Sequence, residues 1–207
     1  MMYQYENTLI KKGYHIIAGC DEVGRGPLAG PLVCAAVILN PNDKIEGLFD
    51  SKGLSEKKRT ALFEEITKRA IDYKIIFKSS IEVDKLNVYQ GSKLGMIEAV
   101  SALDKKPDFV LSDAMPLTGL GIPYEAIIKG DQKSATIAAA SILAKVSRDR
   151  YMVYLHDKYP EYGFDKHKGY PTKMHLEALK KYGITKEHRK TFKPIITILQ
   201  TQIRLDL

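Results

Sequence analysis

The 207-residue chain is 44% hydrophobic and has a formal net charge of +7 at pH 7, which fits one globular core with a small appended lobe. No apolar run is long enough to cross a bilayer and the first residues lack the pattern of a secretory signal, so we expect a cytoplasmic protein. The positive charge favours a polyanionic partner, and Cys20 and Cys34 lie in apolar runs that predict buried free thiols.

Apolar strands alternate with amphipathic helices in the first three quarters of the chain. The helices have apolar residues every three or four positions, whereas the strand at 32–39 is apolar throughout. The predicted strands lie at 14–21, 32–39, 73–80, 109–113 and 124–128, and the predicted helices begin near Ser55, Asn87 and Ser134. This alternation predicts an α/β domain.

The last quarter of the chain is predicted to be helical. Thr172 and Thr185 are predicted helix caps, and Pro194 fits the first turn of a final helix. We therefore predict an α/β core domain at 1–155 and a smaller helical segment at 156–207 that packs on the core.

Four carboxylates are predicted to lie at the ends of core strands. Asp21 and Glu22 end the first strand, Asp113 ends the fourth, and Asp131 follows the fifth. Acidic side chains beside a core strand are costly, and α/β folds place their sites at strand ends. Four converging carboxylates suit two divalent ions that hold a phosphodiester. Because side chains alternate along a strand, we expect the first strand to break at Glu22.

Each of these residues also has a structural interpretation. A single Asp at a strand end is often a turn former, and Asp131 is a candidate cap for the helix beyond it. Gly24, Gly26 and Gly30 follow a strand, as in a dinucleotide-binding loop, but Pro31 and an apolar strand come next where that loop requires a helix. The sequence therefore excludes a dinucleotide site and leaves the carboxylate site and the structural roles open.

The stretch from 140 to 194 is strongly basic. It has 13 lysines and arginines against 6 acidic residues, an excess equal to the net charge of the whole chain. Tyrosines are interleaved with these charges, as expected of a surface that binds a sugar-phosphate backbone and stacks on bases. A solvated helical face is the alternative interpretation.

Several ordered motifs extend the pattern along most of the chain. They are Ala18–Pro31, Asp50–Ser55, Ser112-Asp113, Lys129–Asp131 with Ser134, Ile137–Lys145, Arg148-Asp149, and Lys168–Thr172 with His175. In these motifs the sequence resembles the ribonuclease HII family from about residue 14 to residue 182. Gly53 departs from the pattern, because the family commonly has a second lysine there.

The resemblance implies a ribonuclease H-like fold, a mixed sheet flanked by helices. It also implies an endonuclease that hydrolyses the RNA strand of RNA–DNA hybrids, and that cuts duplex DNA on the 5′ side of single ribonucleotides with two Mn²⁺ or Mg²⁺ ions. The residues that match the family's catalytic metal ligands are Asp21, Glu22, Asp113 and Asp131. The residues that match its substrate contacts are Gly24, Arg25 and Gly26, whose backbone senses 2′-hydroxyl groups, and Tyr170, which recognises the RNA-to-DNA junction.

Three further residues are candidates for substrate binding: Lys52, Ser134 and Lys145. For Ser134 and Lys145, helix capping and packing are open alternatives. We expect a monomer with no membrane partner, and the tail at 200–207 lacks the paired aromatic residues of a clamp-binding peptide.

Two other functions compete with this one. Ribonuclease HIII shares the core, but only about 13 residues precede the first predicted strand, and Arg25 favours ribonuclease HII. A non-catalytic module that binds nucleic acid is the second alternative. Four acidic side chains near a phosphate path argue against it, because they would repel the ligand.

Overall fold

The protein is built on one mixed five-stranded sheet flanked by helices. In the computed structural model, which describes residues 2–205 and the side chains of residues 2–200, the strands are β1 (Ile17–Val23), β2 (Leu32–Ile38), β3 (Asp72–Lys78), β4 (Phe109–Asp113) and β5 (Tyr124–Ile127). The helices are α1 (Gln4–Lys11), α2 (Glu56–Arg69), α3 (Ser80–Leu86), α4 (Val88–Ser101), α5 (Ala135–Lys158), α6 (Phe164–His167), α7 (Lys173–Tyr182) and α8 (Lys193–Leu205). None of these helices has both the length and the apolar character that a membrane crossing requires.

The strand order is β3-β2-β1-β4-β5. Strand β1 runs antiparallel to β2 and parallel to β4, which is itself parallel to β5. The α/β fold class predicted from the sequence is confirmed, and every residue of β2 is buried, as its apolar composition predicts.

The chain divides into two compact units. The first unit comprises Met1–Val23, Val33–Phe77 and Ser92–Ser147, and the second comprises Gly24–Leu32, Lys78–Gly91 and Arg148–Leu207. The loop that follows β1 therefore belongs to the same unit as the C-terminal helices. The domain bounds expected from the sequence, 1–155 and 156–207, stay a prediction.

A close contact between β1 and the start of α5 organises the first unit. A Cβ atom built on Gly19 would overlap the Thr136 carbonyl carbon and lie 2.5 Å from the Ile137 nitrogen, so a side chain at this position is excluded. Small side chains continue along α5, which lets the helix backbone lie close to the sheet. This core includes Val33, Ala35 and Val37 of β2, Leu62 and Ile66 of α2, and Ala138, Ala139, Ala140 and Ala144 of α5.

The first strand does not break at Glu22, so this prediction is wrong. Strand β1 continues to Val23, and its antiparallel pairing with β2 places Glu22 opposite Cys34 and Val23 opposite Val33. This pairing keeps the backbone extended through both acids, and the Glu22 charge still acts on the neighbouring Asp21 carboxylate. Asp21 is buried, whereas Glu22 is half-buried.

A separate core of aromatic and aliphatic residues holds the second unit together. Its buried members are Leu28, Ala29, Met152, Leu155, Tyr162, Phe164, Ala178, Leu179 and Ile195. Thr172 caps α7, as predicted, because its side chain accepts a hydrogen bond from the His175 N–H group. The predicted cap at Thr185 is wrong: no helix lies between α7 and α8 in the described chain, and Thr185 instead bonds the His188 ring.

Replacing Gly19 with Ala is expected to lower the free energy of unfolding by about 3 kcal/mol, because the new methyl group forces α5 away from β1. Urea unfolding followed by circular dichroism measures the change. Gly53→Ala is the matched control, because a Cβ atom there would lie 3.4 Å from the Phe49 ring, an ordinary contact. A Gly19→Ala protein as stable as the wild type would contradict the close contact.

Candidate active site

Neighbouring strand ends bring three acidic residues together in the first unit. Asp21 lies in β1, Asp113 is the last residue of β4, and Asp131 lies in a short 3₁₀ turn (Gly130–Gln132) after β5. The parallel pairing of β1 with β4 ends with Cys20 beside Ser112, so Asp21 and Asp113 are the next residues on adjacent strands.

Asp21 is the most enclosed of these acids, with 4% of its surface exposed. Its Oδ1 atom accepts a 2.7 Å hydrogen bond from the Glu22 N–H group, and the Ser141 hydroxyl group also bonds the carboxylate. Burial raises the pKa of Asp21 well above its ordinary value, and the charges of Glu22 and Asp113 raise it further. A cation close to this carboxylate would be strongly favoured.

A backbone hydrogen bond connects the other two acids. The Gly130 N–H group donates to Asp113 Oδ1 at 2.7 Å, immediately before Asp131 in the chain. Burial raises the pKa of Asp131 to about 6, and the charges of Asp113 and Asp50 contribute to this rise. Lys129, just before the turn, has a φ of +55°, a left-handed conformation that non-glycine residues rarely adopt.

The sequence does not single out two residues that contact these acids. Asp50 lies close enough to the Asp131 carboxyl group to contribute to its raised pKa. Ser141 bonds Asp21 and also lies 3.0 Å from Ser51, measured between the two hydroxyl oxygens. Both belong to motifs that resemble the family, which is the only sequence signal for them. Their partners are distant in sequence, so spacing does not predict these contacts.

The chemistry of this acidic group fits divalent cations. Carboxylate oxygens are the ligands that Mg²⁺ and Mn²⁺ prefer, and the charge of Asp113 contributes to the raised pKa of both Asp21 and Asp131. Among the described residues, no three Asp, Glu, His or Cys side chains lie close enough together to hold one ion. Repulsion between like charges keeps carboxylates apart, and a cation between them removes that repulsion. The ligand type therefore fits a metal site, although the described side chains are not drawn together around one ion.

The three further substrate-binding candidates lie in different surroundings. Lys52 is exposed and close enough for its charge to act on the acidic group, whereas Lys145 is half-buried in α5. Ser134 is fully buried, donates a 2.6 Å hydrogen bond to Glu6 Oε1, and accepts one from the Ile137 N–H group. These contacts favour helix capping over substrate binding for Ser134.

The predicted substrate contacts Gly24, Arg25, Gly26 and Tyr170 all lie in the second unit. Gly24 is buried, Arg25 and Gly26 are exposed, and Tyr170 is 41% exposed. A Cβ atom built on Gly26 would lie 3.4 Å from the Tyr170 ring. Arg25, Gly26 and Tyr170 therefore form one exposed surface, which we call the loop–tyrosine patch.

Comparison with known proteins gives the family. The family model of Ribonuclease HII matches residues 18–195. The chain belongs to the ribonuclease HII family. The Ribonuclease HII of Bacillus cytotoxicus is 52% identical to it over 202 residues, which are 98% of this chain and 78% of that relative.

Solved structures of ribonucleases H share the fold. The ribonuclease H2 of Pyrococcus horikoshii OT3 has a TM-score of 0.78 at 29% identity, and the match covers 90% of this chain and 98% of that one. The RNase HII of Archaeoglobus fulgidus, solved in a complex with PCNA, has a TM-score of 0.75 at 30% identity over 86% of this chain and 96% of that one. The predicted family, ribonuclease H-like fold and enzyme class are confirmed.

As a member of this family, the protein is a ribonuclease H that acts on RNA–DNA hybrids, and the family depends on divalent metal ions. The acidic group in the first unit has the ligand chemistry for such ions. The loop–tyrosine patch lies in the second unit, which holds most of the basic stretch.

Two buried histidines hold the backbone of Tyr170 in this ribonuclease. His188 Nδ1 accepts a 2.9 Å hydrogen bond from the Thr185 N–H group, so the His188 proton is on Nε2. His188 Nε2 then donates to His175 Nε2 at 3.1 Å, and His175 Nδ1 donates to the Tyr170 carbonyl oxygen at 3.0 Å. This order requires neutral rings, and burial lowers the pKa of both histidines to about 4.

The free energy of unfolding is expected to fall between pH 7.5 and pH 5, by about 2 kcal/mol for each of His175 and His188. The unfolded histidines bind protons near pH 6.5 and the folded ones only near pH 4, so acid favours the unfolded state. The raised pKa of Asp131 acts in the opposite direction. Urea unfolding at both pH values therefore measures how far the free energy of unfolding falls in the wild type and in His188→Gln. The test is the difference between these two falls.

His15→Gln is the control for the replacement of a histidine, because His15 is exposed. If His188→Gln and the wild type lose the same stability on acidification, the neutral histidine pair is contradicted.

With a chelator at pH 8, Asp21→Asn is expected to raise the free energy of unfolding by about 1 kcal/mol or more, because it removes a buried charge that Glu22 and Asp113 repel. Urea unfolding measures this. Asp43→Asn is the control: Arg69 lowers the pKa of exposed Asp43, so neutralising it should not stabilise the protein. A less stable Asp21→Asn protein would mean that hydrogen bonding outweighs the repulsion.

Proposed function

We propose that this ribonuclease H is an endonuclease that cuts the RNA strand of RNA–DNA hybrids and cuts duplex DNA on the 5′ side of single ribonucleotides. We propose that two Mn²⁺ or Mg²⁺ ions serve this reaction, with Asp21, Glu22, Asp113 and Asp131 as their ligands. The observation that carries the proposal is the group of mutually repelling carboxylates at neighbouring strand ends. Two such ions activate a water molecule and stabilise the leaving oxygen of a phosphodiester.

The surroundings of the acids keep their carboxylates in fixed positions. The Glu22 N–H group and the Ser141 hydroxyl group orient Asp21, and the Gly130 N–H group orients Asp113. Ligands that are already oriented need little rearrangement as charge develops in the reaction. The raised pKa values also fit sites that bind cations, because a cation removes the repulsion that raises them.

The loop–tyrosine patch supports selection of RNA. Only the 2′-hydroxyl group distinguishes RNA from DNA at a given sugar. The exposed backbone at Gly26 has no side chain to keep a sugar at a distance, and the Tyr170 ring next to it presents a flat apolar surface. We propose that Gly24, Arg25 and Gly26 sense the 2′-hydroxyl group and that Tyr170 packs on the sugar at the RNA-to-DNA junction.

Lys52 and Lys145 are proposed phosphate contacts. The exposed ammonium group of Lys52 already acts on the acidic group, and a phosphate at the metal ions would attract the same charge. A role in removing ribonucleotides during DNA replication and repair, as a cytoplasmic monomer, completes the proposal. The clamp prediction concerns the tail at 200–207, which lies almost wholly outside the residues whose side chains are described.

A duplex with a single ribonucleotide tests the proposal in Mn²⁺, Mg²⁺ or chelator. We expect a metal-dependent cut on the 5′ side of the ribonucleotide. Asp113→Asn is expected to lower turnover about a thousandfold, because it removes a ligand charge. Its circular dichroism spectrum should be unchanged, and most of its hybrid binding should be retained. Asp43→Asn is the control and should cut like the wild type.

Retained turnover in Asp113→Asn would falsify the carboxylate assignment. Salt-dependent hybrid binding by the wild type with no cut product in any metal would instead favour a non-catalytic binding module.

A further inference from the structure

Two arginines are buried inside the second unit. Arg148 and Arg189 are 1% and 0% exposed, and the hydrogen bonds described for their guanidinium groups all go to backbone carbonyl oxygens. Burial of a charged group is costly even when every donor is satisfied. Such a cost calls for a structural or functional reason. The carbonyl groups that these arginines bind belong to the segments that carry the loop–tyrosine patch, which indicates a role in the geometry of that patch.

Arg148 connects two segments that carry the loop–tyrosine patch. Its Nε atom donates to the Pro31 carbonyl oxygen at 2.9 Å, and its Nη2 atom donates to that of Ala29 at 3.2 Å, both in the loop after β1. Its Nη1 atom donates to the Lys168 carbonyl oxygen at 3.0 Å, two residues before Tyr170. One guanidinium group therefore ties the loop to the turn that carries Tyr170, beside the backbone hydrogen bond from the Leu28 N–H group to the Gly169 carbonyl oxygen at 2.8 Å.

Arg189 orients a peptide group of the patch itself. Its Nη1 atom donates to the Arg25 carbonyl oxygen at 3.2 Å, while Nε and Nη2 hold the Gly30 carbonyl oxygen at 3.2 and 3.0 Å. In a planar trans peptide the C=O and N–H groups point in opposite directions. Because the Arg25 carbonyl group points at buried Arg189, the Gly26 N–H group points away from it, and Gly26 is exposed.

We propose that Arg148 and Arg189 are positioning residues for ribonucleotide selection. Arg189 directs the Gly26 N–H group outward, and Arg148 holds the Tyr170 ring at a fixed distance from it. This inference rests on the proposed function, in which the loop–tyrosine patch recognises the sugar of the ribonucleotide. Neither arginine touches the substrate.

Lysine variants separate geometry from charge. A guanidinium group is a rigid planar fork that reaches several carbonyl oxygens at once, whereas an ammonium group is a point charge on a flexible stem. Arg148→Lys and Arg189→Lys therefore keep the positive charge and lose the fixed spacing. Arg69→Lys is the matched control, because Arg69 lies in the first unit and pairs with Asp43.

The readout is the ratio of two kcat/KM values, one for a duplex with a single ribonucleotide and one for a long RNA–DNA hybrid. We expect the ratio to fall about tenfold or more in Arg148→Lys and Arg189→Lys and to stay unchanged in Arg69→Lys. A long hybrid has a 2′-hydroxyl group on every sugar of its RNA strand and tolerates a displaced patch, whereas a single ribonucleotide must be placed accurately. A partly unfolded preparation lowers both rates equally and leaves the ratio unchanged.

A double variant adds an independent test. If Arg148 acts through the Tyr170 turn, Arg148→Lys should change the ratio little once Tyr170→Ala is present. Additive effects of the two substitutions would overturn the assignment for Arg148.

Three other results would also count against the inference. An unchanged ratio in both lysine variants, even with a lower melting temperature, would reduce the arginines to a purely structural role. Loss of folding in both variants would overturn the specificity role as well. A wild type that cuts long hybrids but never single ribonucleotides would instead contradict the proposed function, and with it the inference that rests on it.

Discussion

The contact between α5 and β1 at Gly19 is the constraint on which the candidate active site depends. Two residues after Gly19 the strand reaches Asp21, and five residues after Thr136 the helix reaches Ser141, which bonds Asp21. A side chain at position 19 would push the helix away and separate these two residues. The alanines along α5 serve the same contact, because larger side chains would also hold the helix away from the sheet.

The acids at this site are costly for the fold. Burial and mutual repulsion raise the pKa of Asp21 and Asp131, so their ionised forms destabilise the folded chain. Proteins commonly trade stability for function at such places, because the groups that bind a cation are the groups that repel one another without it. The same residues therefore account for a local loss of stability and, in the proposed function, for the binding of divalent ions.

In the second unit, two of the charged side chains are buried. The basic stretch predicts a charged surface, yet Arg148 and Arg189 lie inside the unit and bind backbone carbonyl groups. Tyr162, one of the interleaved tyrosines, is buried in the core, whereas Tyr170 is exposed beside Gly26. A count of charges along the sequence cannot separate a surface arginine from a buried one, because both have the same side chain and differ only in what the fold places around them.

The sequence by itself determined the α/β class, the buried strand β2 and the family, because apolar periodicity and ordered motifs are local properties of the chain. It also singled out four acids as ligand candidates. Only the tertiary structure decided that β1 continues through Glu22, that Asp50 and Ser141 contact the acids, and that the loop after β1 shares a unit with the C-terminal helices. These features depend on strand pairing and on contacts between distant residues, which no local pattern contains.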